Sequence, residues 1–224
     1  MTVSKLKKVL LRELDGRFGE LGFNRSSDKF YGDRYDRPIR GGRQSVSLTV
    51  YPRKGYLELD LPSISIRFDE VEELVAKFDG PHPLVTPKDI AARATLGTRL
   101  EPNNALAVFR KTWVLTEEQD AKRAAEEFVQ HVVEKAGPFW EHFSNPAEVL
   151  KVLSGDIEDA RRYAGTDALA AKNAIALGMI IGGRDKAREI ADAKLTTLKG
   201  EALNEVKGWV ERALGDPSVR VLGP

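Results

Sequence analysis

The sequence predicts an α+β protein with an N-terminal helix, a mostly antiparallel sheet of about five or six strands, and an all-helical C-terminal region. Three observations support this class. Apolar residues recur every three or four positions near the start, and they then alternate with polar residues between positions 45 and 68. From residue 116 onward the pattern is helical and becomes rich in alanine. We therefore expect an α+β sheet domain over 1–115 and a helical region over 116–224, either separate or packed as one unit.

The first helix is expected from about Ser4 to Leu21. Ser4 can act as its N-cap by accepting a hydrogen bond from a backbone N–H in the first turn. Gly22 is expected to end it in a left-handed conformation. One apolar stripe runs along the helix and consists of Val3, Leu6, Val9, Leu10, Leu14, Phe18 and Leu21.

Strands are expected next. A first strand is predicted over 28–35, and residues 36–43 (DRPIRGGR) are expected to form a loop because they contain Pro38 and two adjacent glycines. Clean alternation predicts further strands at 45–51, 56–61 and 63–68. The polar side chains expected on the exposed face of this sheet include Tyr51, Tyr56, Glu58, Asp60 and Arg67.

A short amphipathic helix is expected at 69–78, and two further strands are expected at about 94–100 and 105–115. A long helix opens at Thr116, and Gly137-Pro138 should end or kink it. Breaks at Gly182-Gly183 and Gly200 divide the alanine-rich end of the chain into antiparallel helices. The predicted helices after the long one cover about 145–153, 156–163, 166–181, 184–198 and 201–214.

The composition excludes several classes of protein. With 224 residues and 42% hydrophobic content the chain can build a sizeable core, and no apolar run reaches the ~18 residues of a membrane span. The first residues read as a helix and lack a signal-peptide cleavage site, so a cytoplasmic location is expected. The chain has no cysteine, which excludes disulfides, thiolate zinc sites and cysteine nucleophiles.

No catalytic, metal or cofactor site is predicted. The three histidines, His82, His131 and His142, have no metal-binding spacing, and no phosphate-loop or nucleophile motif is present. Glu58 and Asp60 share one face of a predicted strand about 7 Å apart, a separation that suits acid/base work in principle. Asp33 and Asp36 form a second candidate pair of carboxylates. Exposed acids on an amphipathic strand are nevertheless common.

The charge is unevenly distributed, although 35 Lys+Arg nearly balance 34 Asp+Glu. Residues 1–54 carry thirteen Lys+Arg and six Asp+Glu, a net charge of +7, so the other 170 residues carry −6. Either the acidic remainder neutralises this segment within the fold, or the segment binds an anionic partner. The predicted partner-binding residues are Arg25, Lys29, Tyr31, Arg34, Tyr35, Arg37, Arg40, Arg43, Arg53 and Lys54.

The first ~115 residues resemble an uncharacterised bacterial domain family of unknown function. The resemblance is carried by Leu21-Gly22-Phe23 after the first helix, Phe30-Tyr31, the strand from Val46 to Val50, Arg99-Leu100 and Trp113. It implies an α+β domain and no particular activity.

The leading functional hypothesis is a non-catalytic bacterial interaction protein that binds another protein, with an immunity- or antitoxin-like role as one form of it. Arginine and tyrosine are enriched at protein–protein hot spots, but they also neutralise phosphates and stack bases. Nucleic-acid binding by the same segment is therefore the first alternative. A hydrolase or transferase with a carboxylate-based site is the second. No membrane partner is expected.

Overall fold

A computed structural model of the chain describes residues 1–28, 32–79, 86–100 and 112–216. In the described residues the helices are α1 (Val3–Glu20), α2 (Asp69–Asp79), α3 (Pro87–Ala92), α4 (Glu118–Phe143), α5 (Pro146–Ser154), α6 (Ile157–Ala164), α7 (Asp167–Thr197) and α8 (Gly200–Gly215). The strands are β1 (Asn24–Asp28), β2 (Gly32–Ile39), β3 (Gly42–Ser47), β4 (Val50–Arg53), β5 (Tyr56–Leu59), β6 (Ser63–Phe68), β7 (Leu96–Arg99) and β8 (Trp113–Leu115).

The strands divide between two sheets. The larger sheet has the order β1-β2-β3-β6-β7, and the smaller one has the order β4-β5-β8. β2 pairs antiparallel with β1 and β3, and β5 pairs antiparallel with β4 and β8. The predicted α+β class, with an N-terminal helix, antiparallel strands and a C-terminal helical region, is confirmed.

The predicted loop over 36–43 is wrong, because these residues form most of a hairpin. β2 continues to Ile39, Arg40 and Gly41 form the turn, and β3 begins immediately afterwards. Gly41 has a φ of 72°, which the turn requires and which glycine adopts without strain. Pro38 is tolerated in β2 because β1 pairs with this strand only as far as Asp36.

The start of the chain also differs in detail from the prediction. The first strand predicted over 28–35 is replaced by β1 and β2, and residues 29–31 between them lie outside the described residues. The N-cap of α1 is Thr2 rather than Ser4, and its Oγ1 accepts a hydrogen bond from the backbone N–H of Lys5 at 3.3 Å. Gly22 follows the helix in the left-handed region, as predicted.

Helix α4 does not end at Gly137-Pro138 but runs on to Phe143. A proline inside a helix removes one backbone hydrogen bond and crowds the preceding turn. Tertiary packing offsets that loss, because Trp140 is buried just beyond the proline and its Nε1 donates to the carbonyl oxygen of Ser65 at 3.2 Å.

The chain divides into two compact units. The first unit comprises Met1–Ser65 and Arg99–Glu141, and the second comprises Ile66–Thr98 and His142–Pro224. The predicted boundary between residues 115 and 116 does not coincide with this division. Most of α4 belongs to the first unit because its apolar face shares a core with α1 and the strands. That core includes Leu6, Leu10, Leu14, Phe18, Leu57, Leu59, Leu115, Ala125, Phe128 and Val132.

In the second unit, α7 and α8 hold the C-terminal end of α2. The indole Nε1 of Trp209 donates to the carbonyl oxygen of Val75 at 3.0 Å, and Nε of Arg212 donates to that of Phe78 at 2.8 Å. Asp79 accepts hydrogen bonds from Lys172 and Arg93. Burial raises the pKa of the Asp79 carboxyl, but these two cations outweigh it, and the pKa lies below its usual range.

The break predicted at Gly182-Gly183 is confirmed within α7. Gly183 has φ 79° and ψ −172°, so the chain turns there instead of continuing as one helix. A Cβ atom at Gly178 would lie 2.5 Å from Cδ1 of Ile190 and 3.5 Å from Cα of Ala187. Residues 178 and 187 would be about 13 Å apart along one straight helix. The two halves of α7 therefore fold back on each other, and Gly178 permits their close approach.

Within the part of the chain that the structure describes, no helix has the length and apolar character needed to cross a bilayer.

Gly178→Leu should destabilise the second unit by about 1–3 kcal/mol, because the new side chain overlaps Cδ1 of the buried Ile190 and the packing between the two halves of α7 must rearrange. Urea unfolding followed by circular dichroism measures this change. Gly215→Leu is the matched control, since a Cβ atom there meets nothing within 4 Å. Equal effects of the two substitutions would contradict the packing described for Gly178.

Candidate interaction surface

The structure scatters the predicted partner-binding residues over several environments. Lys29 and Tyr31 lie outside the described residues. The others belong to β1, β2, β3, β4 and the two hairpin turns.

Tyr35 was expected on a binding surface, but the structure places it in the core with no exposed area. Its ring stacks on that of Phe18 with centroids 4.4 Å apart, and its hydroxyl donates to Oδ1 of Asp15 at 2.8 Å. Burial, together with the hydrogen bond to Asp15 and the charge of that carboxylate, raises the pKa of Tyr35 well above its usual range. Tyr35 therefore cannot contact a partner from the surface.

Arg25 joins a network of charges beside Tyr35. Its Nε lies 2.8 Å from Asp15 and its Nη1 lies 3.4 Å from Asp33, which also pairs with Lys7 at 3.1 Å. Burial raises the pKa of the Asp33 carboxyl, but hydrogen bonds from Lys7 and Ser27 and the charges of Lys7 and Arg25 lower it below its usual range. Asp33 is thus a structural carboxylate that holds α1, β1 and β2 together.

Arg34 and Arg43 share one carboxylate on the larger sheet. Nε of Arg34 lies 2.9 Å from Oδ1 of Asp36, and Nε of Arg43 lies 3.7 Å from the same atom. Ser45 and Ser26 also donate hydrogen bonds to Asp36, at 2.6 and 3.2 Å. The two arginines are therefore engaged within the fold, and their side chains are only 21% exposed.

Arg37 packs against the aromatic residues of the first core. Its guanidinium carbon lies 4.6 Å from the ring centroid of Phe23 and 5.4 Å from that of Trp140. Nε and Nη2 donate to Oε1 of Gln44 at 3.0 and 2.6 Å, and Nη1 donates to the carbonyl oxygen of Leu21 at 3.3 Å. Burial lowers the pKa of this guanidinium. Arg37 stabilises the end of α1 by covering its C-terminal carbonyl.

Arg40 and Lys54 lie in different hairpin turns. Both side chains are exposed, and neither makes an ion pair or hydrogen bond with another residue of the described ranges. Arg53 is also exposed but pairs with Glu58. Arg25, Arg34 and Arg43 pair with acids that belong to residues 1–54 themselves, so these pairs leave the net charge of +7 on the segment unchanged. Arg17 and Arg53 pair with Glu126 and Glu58 of the acidic remainder. The choice between the two expectations from the sequence stays a prediction.

In both pairs of carboxylates considered for acid/base chemistry, each carboxylate binds other side chains rather than its pair mate. Asp60 was expected on the exposed face but is 3% exposed, and it accepts hydrogen bonds from Arg99 and from the backbone N–H of Leu61. Glu58 accepts a hydrogen bond from Arg53 at 3.0 Å. Asp33 and Asp36 bind different cations, as described above. Each of these four carboxylates is therefore held by an arginine or lysine.

Arg67, also expected on the exposed face, is buried in the second unit. Its Nε donates to Asp69 at 2.6 Å and its Nη1 donates to the carbonyl oxygen of Arg93 at 3.2 Å. Alternation identifies which face a side chain occupies, but it does not show whether another part of the chain covers that face.

The outer face of the smaller sheet is the candidate interaction surface. The register sets Tyr51 beside Glu58, and Glu58 beside Val114, in one row across β4, β5 and β8. Tyr51 is 40% and Val114 is 53% exposed, although aromatic and β-branched side chains usually lie on a covered face. On the opposite face Leu57, Leu59 and Leu115 are buried in the first core.

Arg53 completes this surface, which we define as Tyr51, Arg53, Tyr56, Glu58 and Val114. Arg53 is directly opposite Tyr56 in the register. Its guanidinium carbon lies 5.2 Å from the ring centroid of Tyr51, while its Nε donates to Glu58. The arginine is therefore held in a defined position over the tyrosine ring.

The exposure of Val114 could have been predicted from its two neighbours in the sequence. Val114 lies between Trp113 and Leu115, and both neighbours are buried. In a strand this places the valine on the opposite, exposed face. Its position beside Tyr51 follows only from the pairing of β5 with both β4 and β8.

Within the described ranges, no three or more His, Asp or Glu side chains converge as a metal-binding group. His82 lies outside those ranges. His142 is exposed, and its Nε2 is 3.9 Å from Glu148.

Comparisons of the chain with family models, curated proteins and solved structures found no match.

Arg37→Met should destabilise the first unit by about 1–3 kcal/mol, because Gln44 loses both donors and the aromatic rings lose the cation. Urea unfolding measures the loss. Arg40→Met, the same substitution at an exposed position without a described partner, should change stability by less than about 0.5 kcal/mol. If both variants unfold at the same urea concentration, the role assigned to Arg37 is wrong.

Asp33→Asn should lower stability at pH 7 by about 1–2 kcal/mol, because Lys7 and Arg25 lose a charged partner. The unfolded carboxyl titrates near pH 4, and the folded one titrates lower, so the carboxylate stabilises the fold above about pH 4 and less as the pH falls. The difference in unfolding free energy between wild type and variant should therefore shrink from pH 4 downward. Glu20→Gln, at an exposed site, serves as the control. A constant difference down to pH 2 would contradict this assignment.

Proposed function

We propose that the protein is a non-catalytic interaction protein that binds another protein through the candidate interaction surface. The observation that carries the proposal is the row in which the exposed Tyr51 and Val114 flank the half-buried Glu58, with Arg53 over the tyrosine ring. Tyrosine and arginine are enriched among the residues that contribute most binding energy at protein interfaces.

The fixed position of Arg53 supports this role energetically. An arginine loses side-chain entropy when it is immobilised by a partner, which costs roughly 0.5–1.5 kcal/mol. Here Tyr51 and Glu58 already restrict the guanidinium before any partner arrives. A partner that packs on Tyr51 and Val114 therefore finds the Arg53 side chain already largely immobilised.

The charge arrangement favours a protein over a nucleic acid as the partner. Binding to nucleic acid depends on several cations that can contact phosphates. Arg25, Arg34 and Arg43 are already paired with carboxylates, and Arg37 is packed on aromatic rings. Among the described residues of the predicted binding set, Arg40 and Lys54 have no such partner, and they lie in separate turns.

A carboxylate-based enzyme finds less support. The candidate carboxylates Asp33, Asp36, Glu58 and Asp60 each bind a basic side chain, which is the arrangement of structural ion pairs. A bacterial origin, a cytoplasmic location and an immunity- or antitoxin-like role stay predictions from the sequence.

The double substitution Tyr51→Ser with Val114→Ser should abolish or strongly reduce capture of the partner, since two exposed contact side chains are truncated. Loss of one hot-spot residue typically weakens binding by at least ~2 kcal/mol, or about thirtyfold. Quantitative mass spectrometry of proteins captured from a lysate of the native host measures the effect. The matched control is Val133→Ser with Ile181→Ser, which also replaces two apolar residues that are about half exposed, at 49% and 47%.

Circular dichroism should show that both double variants remain folded. The proposal fails if the Tyr51/Val114 variant captures the same proteins as the wild type, or if the control variant loses them equally. Recovery of nucleic acid instead of protein, released by moderate salt, would favour the nucleic-acid alternative.

A further inference from the structure

We propose that the partner contributes a short acidic segment with an aliphatic side chain, and that this segment lies across the candidate interaction surface beside Lys54. This inference rests on the proposed function and specifies the chemistry of the partner. It follows from three features: the positive charge of the hairpin formed by β4 and β5, the area of the surface, and the edge of the smaller sheet at β4.

The charge of the hairpin is positive. Arg53 and Lys54 are the cations of residues 50–59, and Glu58, opposite Tyr51 in the register, is their acid. Since Glu58 already accepts a hydrogen bond from Arg53, one positive charge is left over. Lys54 makes no ion pair with the residues of the described ranges. A carboxylate of the partner can therefore pair with Lys54 without displacing an existing ion pair.

The size of the surface suits a single segment. Neighbouring strands lie about 4.8 Å apart and residues in a strand rise about 3.3 Å, so three strands of about four residues present roughly 200 Å². A stable dimer buries about 800 Å² on each partner. A second copy docked on this surface alone would bury too little area, whereas one extended segment of a few residues covers it.

The edge of the smaller sheet at β4 disfavours the addition of a strand by the partner segment. Among the described strands, β4 lies at one edge of the smaller sheet. Pro52 is opposite Leu57 in the register and has no N–H, so its nitrogen cannot donate to a strand added along this edge. Side-chain contacts with Tyr51 and Val114 are thus favoured over strand addition.

Binding of labelled synthetic peptides to the full chain tests the proposal. The probe is a fluorescein-labelled eight-residue peptide of alternating glutamate and leucine, and fluorescence anisotropy at ~50 mM salt reports its binding. Two comparison peptides replace either the glutamates by lysine or the leucines by serine. We expect the glutamate–leucine peptide to bind at least about fivefold more tightly than both, because it alone supplies the charge and the apolar contact.

Substitutions in the two hairpins test where the glutamate–leucine peptide binds. Lys54→Glu should weaken binding of the glutamate–leucine peptide by about five- to tenfold, because it reverses the charge beside the surface. Arg40→Glu makes the same charge change in the other hairpin turn and should alter the affinity by less than about twofold. Tyr51→Ser should weaken binding in both low and high salt, since its contribution is contact area rather than charge.

The proposal is overturned if the peptide fails to bind at millimolar concentration, if the lysine–leucine peptide binds as tightly, or if Lys54→Glu and Arg40→Glu act equally. Tighter, Lys54-dependent binding of a ten-residue oligothymidine would also overturn it in favour of nucleic acid. Its failure is distinguishable from failure of the proposed function. In the former case the Tyr51/Val114 double variant still loses its host partner, and only the acidic character of the partner segment is wrong.

Discussion

The stacking of Tyr35 on Phe18 is the contact on which the first unit depends. It joins the middle of β2 to the last turns of α1, and it is fully buried. The hydroxyl of Tyr35 must then find an acceptor inside the protein, and Asp15 supplies it. Asp15 also binds Arg25, and Arg25 reaches Asp33. One aromatic contact therefore determines where a network of four ionisable side chains lies.

This network pairs cations of the first 54 residues with carboxylates of the same segment, as with Arg25 and Asp15. Arg34 and Asp36 are two residues apart on β2 and pair with each other, and Arg43 approaches the same carboxylate from β3. Arg37 instead uses its planar guanidinium to pack on Phe23 and Trp140. Arginine is well suited to both tasks because it combines charge, directed donors and a flat face. The exposed cations include Lys5 and Lys8 of α1 as well as those of the hairpin turns. Exposed apolar side chains lie on the smaller sheet, in α4 and in α7.

The fold was predictable where one local pattern dominated. The apolar stripe of α1, the alternation in β5 and β6, and the double glycine inside α7 all correspond to elements of the structure. The predicted ends of elements were wrong where a proline, which commonly breaks secondary structure, lies inside a strand or a helix. Pro38 lies in β2 beyond the end of its pairing with β1, and Pro138 lies inside α4 next to the buried Trp140. In both places the surroundings, rather than the residue itself, decided the outcome.

By itself the sequence determined the α+β class, the helical second half, the absence of cysteine chemistry and the uneven charge, because composition and periodicity are properties of the chain alone. The tertiary structure decided which charged side chains are paired and which faces stay uncovered. Alternation assigns Glu58 and Asp60 to the same face of one strand. Asp60 is nevertheless buried against Arg99, whereas Glu58 is partly exposed between Tyr51 and Val114. The physical reason is that ion pairing and burial depend on residues distant in sequence, and only strand register and helix packing bring those residues together.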